Sequence, residues 1–262
     1  MKLMKRITKF ILNLTSVGSI VLIATLNTSQ FAVMKGATPT VTDGPLTEPG
    51  GPRFIQPTED IDAPPSIRVR SVRGGCASTS QLGLTALVPK NKIGRTVSDY
   101  PTFFFYLPQT EAELAEFILE DESGNQIYQQ DLTIKNLSGV IGVSIPATTN
   151  VPALEVGKSY TWKFTVVCNP QDRAGDKLES GIVRRVELSP DILGELENAD
   201  PRQKTFIYAQ NGIWQDALSN LAAVRRANPN EPVFQADWES LLDSVTLGEI
   251  AKEPIVEMEA QP

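Results

Sequence analysis

Between residues 67 and 189, apolar and polar positions alternate in short runs separated by turn residues. The runs are LGLTALVP, TFFFYLP, AEFILED, QIYQQDLTI, GVIGVSIP, SYTWKFTVVC and SGIVRRVEL. ESGN, between the third and fourth, is a hairpin turn signal. No long helical-period segment separates these runs, which predicts antiparallel pairing rather than an α/β fold. The fold class read from this pattern is mainly β with a C-terminal α part. It is an antiparallel β-sandwich, Ig-like or a partly open barrel, over residues 67–190.

Tyr160 to Cys168 carries the clearest alternation. Tyr160, Trp162, Phe164, Val166 and Cys168 fall on one face, and Thr161, Lys163 and Thr165 on the other. The stretch DYPTFFFYLP has no polar face. Phe103, Phe105 and Leu107 share one side, Phe104 and Tyr106 the other, and Pro101 and Pro108 bracket the strand. Such a strand needs cover on both faces. The sandwich core supplies one cover, and the C-terminal helices are available for the second.

After Pro190 the period becomes helical, giving a helical segment over residues 191–250. Helices are expected from Ile192, over Arg202–Asn211, over Trp214–Ala227 and over Val233–Val245, with Gly212 and Asn228-Pro229 as breaks. YAQNGIWQDALSNLAAVRRANP resembles a tetratricopeptide hairpin through Tyr208, Gly212, Trp214, Ala217, Leu221, Val224 and Pro229, with Thr205 off the pattern. One unit is visible, so the expectation is a helical hairpin packed on the sandwich, followed by one more helix. Residues 251–262 read as a flexible tail. Residues 33–66, rich in Pro, Gly, Thr and acids, read as a disordered spacer.

Composition changes the picture in three ways. Lys2, Lys5, Arg6 and Lys9 precede a mostly apolar run from Phe10 to Leu26, and small and polar residues follow to Ala32. That order is the secretory-signal pattern and predicts export of residues 33 onward, to the periplasm or outside the cell. The run is broken by Asn13, Thr15 and Ser16, so no stable membrane span is expected once residues 1–32 are removed. The remaining chain carries 20 Lys and Arg against 31 Asp and Glu. Such acidity excludes nucleic acid and anionic lipid as partners. The excess sits in residues 191–262, which hold 5 basic and 13 acidic groups.

Cys76 and Cys168 are the only cysteines. In an exported chain they invite a disulfide, the alternative being two separate buried thiols. With no histidine anywhere, Ser-His-Asp, Cys-His and histidine-metal sites are ruled out within the chain, and no metal or cofactor is expected. VPALEVGKS imitates a phosphate loop, but Pro152 replaces its first glycine and a strand follows it. Glu111, Glu113, Glu116, Glu120, Asp121 and Glu122 are the remaining acid–base candidates. Arg68, Arg70 and Arg73, and separately Arg184 and Arg185, could bind an acidic partner.

The succession RGGC, LTALVP, YPTFFFYLP, LEVGKSYTWKFTVVC, GIVRRVEL and YAQNGIWQDAL resembles a bacterial, mainly cyanobacterial family, the domain of unknown function 928. The resemblance covers about residues 68–250 and includes Cys76, Cys168, Trp162 and Trp214. It implies an exported protein with a strand-rich core and a helical end, and it brings no catalytic residues. The functional expectation is a non-enzymatic protein-interaction module whose partner is another envelope or secreted protein. Tyr208, Trp214, Arg225 and Arg226 are its docking candidates. The alternatives are a carbohydrate-binding sandwich using Tyr100, Tyr106 or Tyr128 as stacking platforms, and a carboxylate-based envelope hydrolase.

Overall fold

The computed structural model describes residues 50–58, 76, 82–147 and 151–258, and all of them belong to one unit. The export signal over residues 1–32, most of the spacer, and Arg68, Arg70 and Arg73 lie outside the described residues. Among the described residues, eight strands are formed: β1 (Thr85–Ala86), β2 (Ile93–Thr96), β3 (Thr102–Leu107), β4 (Leu114–Glu120), β5 (Gln126–Thr133), β6 (Gly139–Ser144), β7 (Ser159–Val167) and β8 (Lys177–Arg185). Four helices follow: α1 (Pro190–Asn198), α2 (Pro201–Gln210), α3 (Trp214–Ala227) and α4 (Pro232–Asp243).

The strands make two sheets, ordered β1-β3-β6 and β2-β8-β7-β4-β5. Aromatic side chains fill the space between them. Phe105 of β3 stacks on Phe164 of β7 with ring centroids 4.2 Å apart, and Phe103 meets Phe117 of β4 at 5.0 Å. Trp162 lies near both, 6.2 Å from Phe103 and 5.6 Å from Phe105. Phe104 and Tyr106, on the opposite face of β3, are buried too, and α3 packs against this strand. The run of aromatics is therefore a strand covered on both faces.

Three features depart from the expected arrangement. First, β2 pairs with β8 in parallel, Ile93 beside Ile182 and Thr96 beside Arg185, so the larger sheet is mixed rather than wholly antiparallel. A parallel partner needs a long crossover, and here most of the sandwich provides it. Second, the spacer expected over residues 33–66 does not hold at 50–58. Phe54 packs edge-on against Trp214 with centroids 5.1 Å apart, and the Ile55 amide donates to the Ala209 carbonyl at 3.0 Å. A single well-placed aromatic and main-chain donors are enough to order a polar stretch. Third, the tail is not free through residue 256. Ile255 bridges Val140 in parallel, Val140 donates to the Pro254 carbonyl at 2.7 Å, and Val256 donates to the Val140 carbonyl at 2.8 Å. These bonds satisfy backbone groups at the outer edge of β6.

Cys76 and Cys168 are joined in a disulfide, with Cα atoms 4.9 Å apart. It ties the segment preceding β1 to the end of β7. Among the described residues, no helix is long and apolar enough to cross a membrane.

Candidate functional site

The β2–β3 loop and the α2–α3 hairpin enclose a polar cleft of about 430 Å³. Its sheet-side wall is built by a relay of short hydrogen bonds. The Thr96 hydroxyl donates to Asp216 Oδ2 at 2.8 Å, and the Val97 amide donates to the same oxygen at 3.1 Å. The Ser98 amide donates to Thr96 Oγ1 at 3.0 Å, and the Tyr100 amide to Ser98 Oγ at 3.1 Å. Ser and Thr favour such local bonds in turns, and here they fix the loop that leaves the end of β2.

The helical wall follows from spacing. Lys204 and Tyr208 stand four residues apart on α2, while Gln215, Asp216, Ser219 and Asn220 repeat the same interval on α3. α2 is set by a capping box, in which Asp200 accepts from the Gln203 amide and the Gln203 side chain accepts from the Asp200 amide. Asn220 donates to Thr205 Oγ1 at 2.7 Å, so the two helices are locked beside the cleft.

Gln215 stands behind the helical wall, its amide packed against the sheet: a Cβ on Gly94 of β2 would lie 2.9 Å from Gln215 Oε1. It is 3% exposed, and its Oε1 has no hydrogen-bond partner among the described residues. A buried amide oxygen left unpaired costs roughly 1–3 kcal/mol. Tyr100 and Tyr208, both half-buried, contribute ring surface and hydroxyls, and Lys204 adds one cation. Burial pushes the Tyr208 hydroxyl up, with the negative charge of Asp216 adding to it. Burial likewise pushes the Asp216 carboxyl up, against the opposing bonds from Thr96 and Val97.

That carboxyl gives a pH signature. A folded-state value raised above the unfolded one means stabilisation is fully present below the unfolded value of 3.8 and is lost as pH rises through the folded value. Asp216→Asn keeps an acceptor for both donors and removes the titration. The stability of wild type relative to Asp216→Asn is expected to be greatest in acid and to fall as pH rises from there. Thermal midpoints of both proteins from pH 3 to 7 test this, and parallel curves would remove Asp216 as their cause.

The expected docking residues are not brought together. Tyr208 lines the cleft, but Trp214 is wholly buried, its indole N–H donating to the Leu87 carbonyl at 2.8 Å. As the first residue of α3 it faces the sheet, so it is core and not docking surface. Arg225 lies over the Trp238 ring at 5.5 Å, and Arg226 pairs with Glu257 at 3.6 Å, both at the opposite end of α3 from the cleft. Of the expected stacking tyrosines, Tyr100 lines the cleft. Tyr106 is in the core, while half-buried Tyr128 donates to Gln130 Oε1 at 3.0 Å.

Five of the six acids of the cluster, all but Glu111, are engaged in pairing. Glu113 binds Lys135 at 2.6 Å, Glu120 binds Lys163 at 2.5 Å, and Arg173 spans Glu116 and Asp176. Asp121 accepts from Ser123 and Asn125 within the hairpin turn, and Glu122 accepts from the Ser159 amide at 2.9 Å. Arg185 pairs with Asp99. Gln215, Ser219 and Asn220 were not singled out from the sequence. Their only signal was the polar face of α3, which resembles any solvated helix.

A family model, Domain of Unknown Function (DUF928), matches residues 68–255. The chain belongs to the DUF928 family. The match takes in both walls of the cleft and leaves residues 50–58 of this DUF928 chain outside it. No curated protein matches the chain. Among solved structures, the fn3 domain of the human collagen alpha-1(XX) chain is 16% identical with a TM-score of 0.26, covering 44% of this chain and 94% of that one.

Proposed function

We propose that this protein is a non-enzymatic binding module of an oxidising compartment outside the cytoplasm, holding a hydroxyl-rich ligand of the carbohydrate class in the cleft. The observation that carries this reading is a polar cleft flanked by Tyr100 and Tyr208 and lined besides by Lys204, Ser219 and Asn220. Saccharides present hydroxyls that both donate and accept, together with apolar C–H faces. Amide, hydroxyl and tyrosine side chains answer both needs. The disulfide and the basic, then apolar, start of the chain support the compartment.

Isothermal titration of the full chain with neutral cello-, chito- and malto-oligosaccharides tests the reading. Saturable binding is expected with at least one series, weakened about tenfold by Tyr100→Ala and by Tyr208→Ala, the loss of about 1.4 kcal/mol each. Binding that is absent for every series, or indifferent to both substitutions, overturns the proposal.

A further inference from the structure

Residues 51–57, GPRFIQP, lie on the helices as a bound peptide lies on a receptor. Pro52 is buried, Phe54 and Pro57 are partly covered, and Arg53, Ile55 and Gln56 face outward. Two main-chain amides are used: Phe54 N–H donates to Ser244 Oγ at 3.0 Å, and Ile55 N–H to the Ala209 carbonyl at 3.0 Å. Main-chain bonds combined with pockets for selected side chains are the usual grammar of extended-peptide recognition.

The fit is selective at named positions. A Cβ on Gly51 would lie 2.5 Å from Ser240 Cβ and 3.1 Å from Asp237 Cα, so α4 admits only glycine there. On the receptor side, Gly212 sits in the α2–α3 turn with φ +70°, where a Cβ would come within 2.4 Å of Pro57 Cγ. The Phe54 ring meets Trp214 edge-on. Ile55, though apolar, is turned away and is 57% exposed. The groove thus reads glycine, proline, aromatic and proline, and ignores the three residues between them.

We propose that the groove between the α2–α3 turn and α4 is a recognition site for extended segments of the pattern Gly-Pro-x-Phe-x-x-Pro on a partner protein, and that residues 51–57 occupy it in cis. The groove lies within the family-matched residues and its present occupant lies outside them. A tethered occupant acts at an effective concentration on the order of millimolar. A partner segment therefore has to outcompete the chain's own, and the apparent affinity falls by the fraction of groove left vacant. This site is independent of the polar cleft and of what binds there.

The test uses a fluorescent synthetic peptide of residues 50–58 and full-length protein. Phe54→Ala empties the groove and leaves its walls intact. Gly51→Val does the same by collision with Ser240, and serves if the first variant is not folded by circular dichroism. Either folded variant is expected to bind the peptide saturably and at least about tenfold tighter than wild type. Alanine at peptide positions 52, 54 or 57, or valine at 51, should abolish binding, whereas alanine at 53, 55 or 56 should be tolerated. Equal binding to variant and wild type, or sensitivity at the outward positions instead, overturns the proposal. Concentration-dependent dimers dispersed by the free peptide would overturn the assignment to a partner, since the occupant in trans would then be a second copy of this chain.

Discussion

Trp214→Ala is expected to lower folding stability by about 3–5 kcal/mol. The side chain has no exposed surface, donates to the Leu87 carbonyl, and carries Phe54 on its edge. It therefore joins sheet, hairpin and N-terminal segment at one point. Truncation removes its contacts with all three and leaves a carbonyl unpaired in a dry site. Trp214→Phe retains most of the volume but still orphans that carbonyl, and a smaller loss of roughly 1–2 kcal/mol is expected. Urea unfolding followed by far-ultraviolet circular dichroism reads both. A loss below about 1 kcal/mol for the alanine variant would mean that neighbouring residues collapse into the space, and the joining role would be wrong.

Cys168→Ser is the second large expectation. The bond closes a separation of 92 residues, which in the chain-entropy account stabilises the fold by roughly 4–5 kcal/mol. It also orders its own surroundings: Cys76 N–H donates to Cys168 Sγ at 2.8 Å, and Cys168 N–H donates to Asp176 Oδ1 at 3.0 Å. Wild type under reductant should unfold at the denaturant midpoint of the serine variant. If fully reduced wild type, verified by thiol titration, kept its oxidised midpoint, the constraint would be of no consequence.

Much of the framework was legible because alternation is a local property. Tyr160 to Cys168 announced one buried and one open face, and β7 keeps that pattern through Val166. The two-faced apolar run at Phe103 to Leu107 was read as doubly covered, and it is. The helical boundaries were equally visible, since Pro190, Pro201 and Pro232 open helices and Gly212 and Asn228 close them. β2 was not legible. Its four residues, IGRT, show neither length nor alternation, and its parallel partner lies at residues 182–185. The cleft escaped for a related reason: residues 96–102 and 204–220 acquire a common chemistry only after the sheet and the hairpin meet. Trp214 was noticed but misplaced, because an aromatic at the start of an amphipathic helix has the same spacing whether it faces a core or a partner.

The docking of residues 51–57 also fixes an order of events along the chain. Phe54 finds its hydrogen-bond partner at Ser244, 190 residues later, and Ile55 finds its own at Ala209. β2 likewise waits for β8. Contacts of such separation form late, because chain-closure entropy must be overcome before they contribute. In a chain delivered from its N-terminus, the earliest segment of the described fold to arrive is therefore among the last to settle. The Phe54 ring meets Trp214 only once α3 has emerged, and its amide meets Ser244 only after α4 has followed.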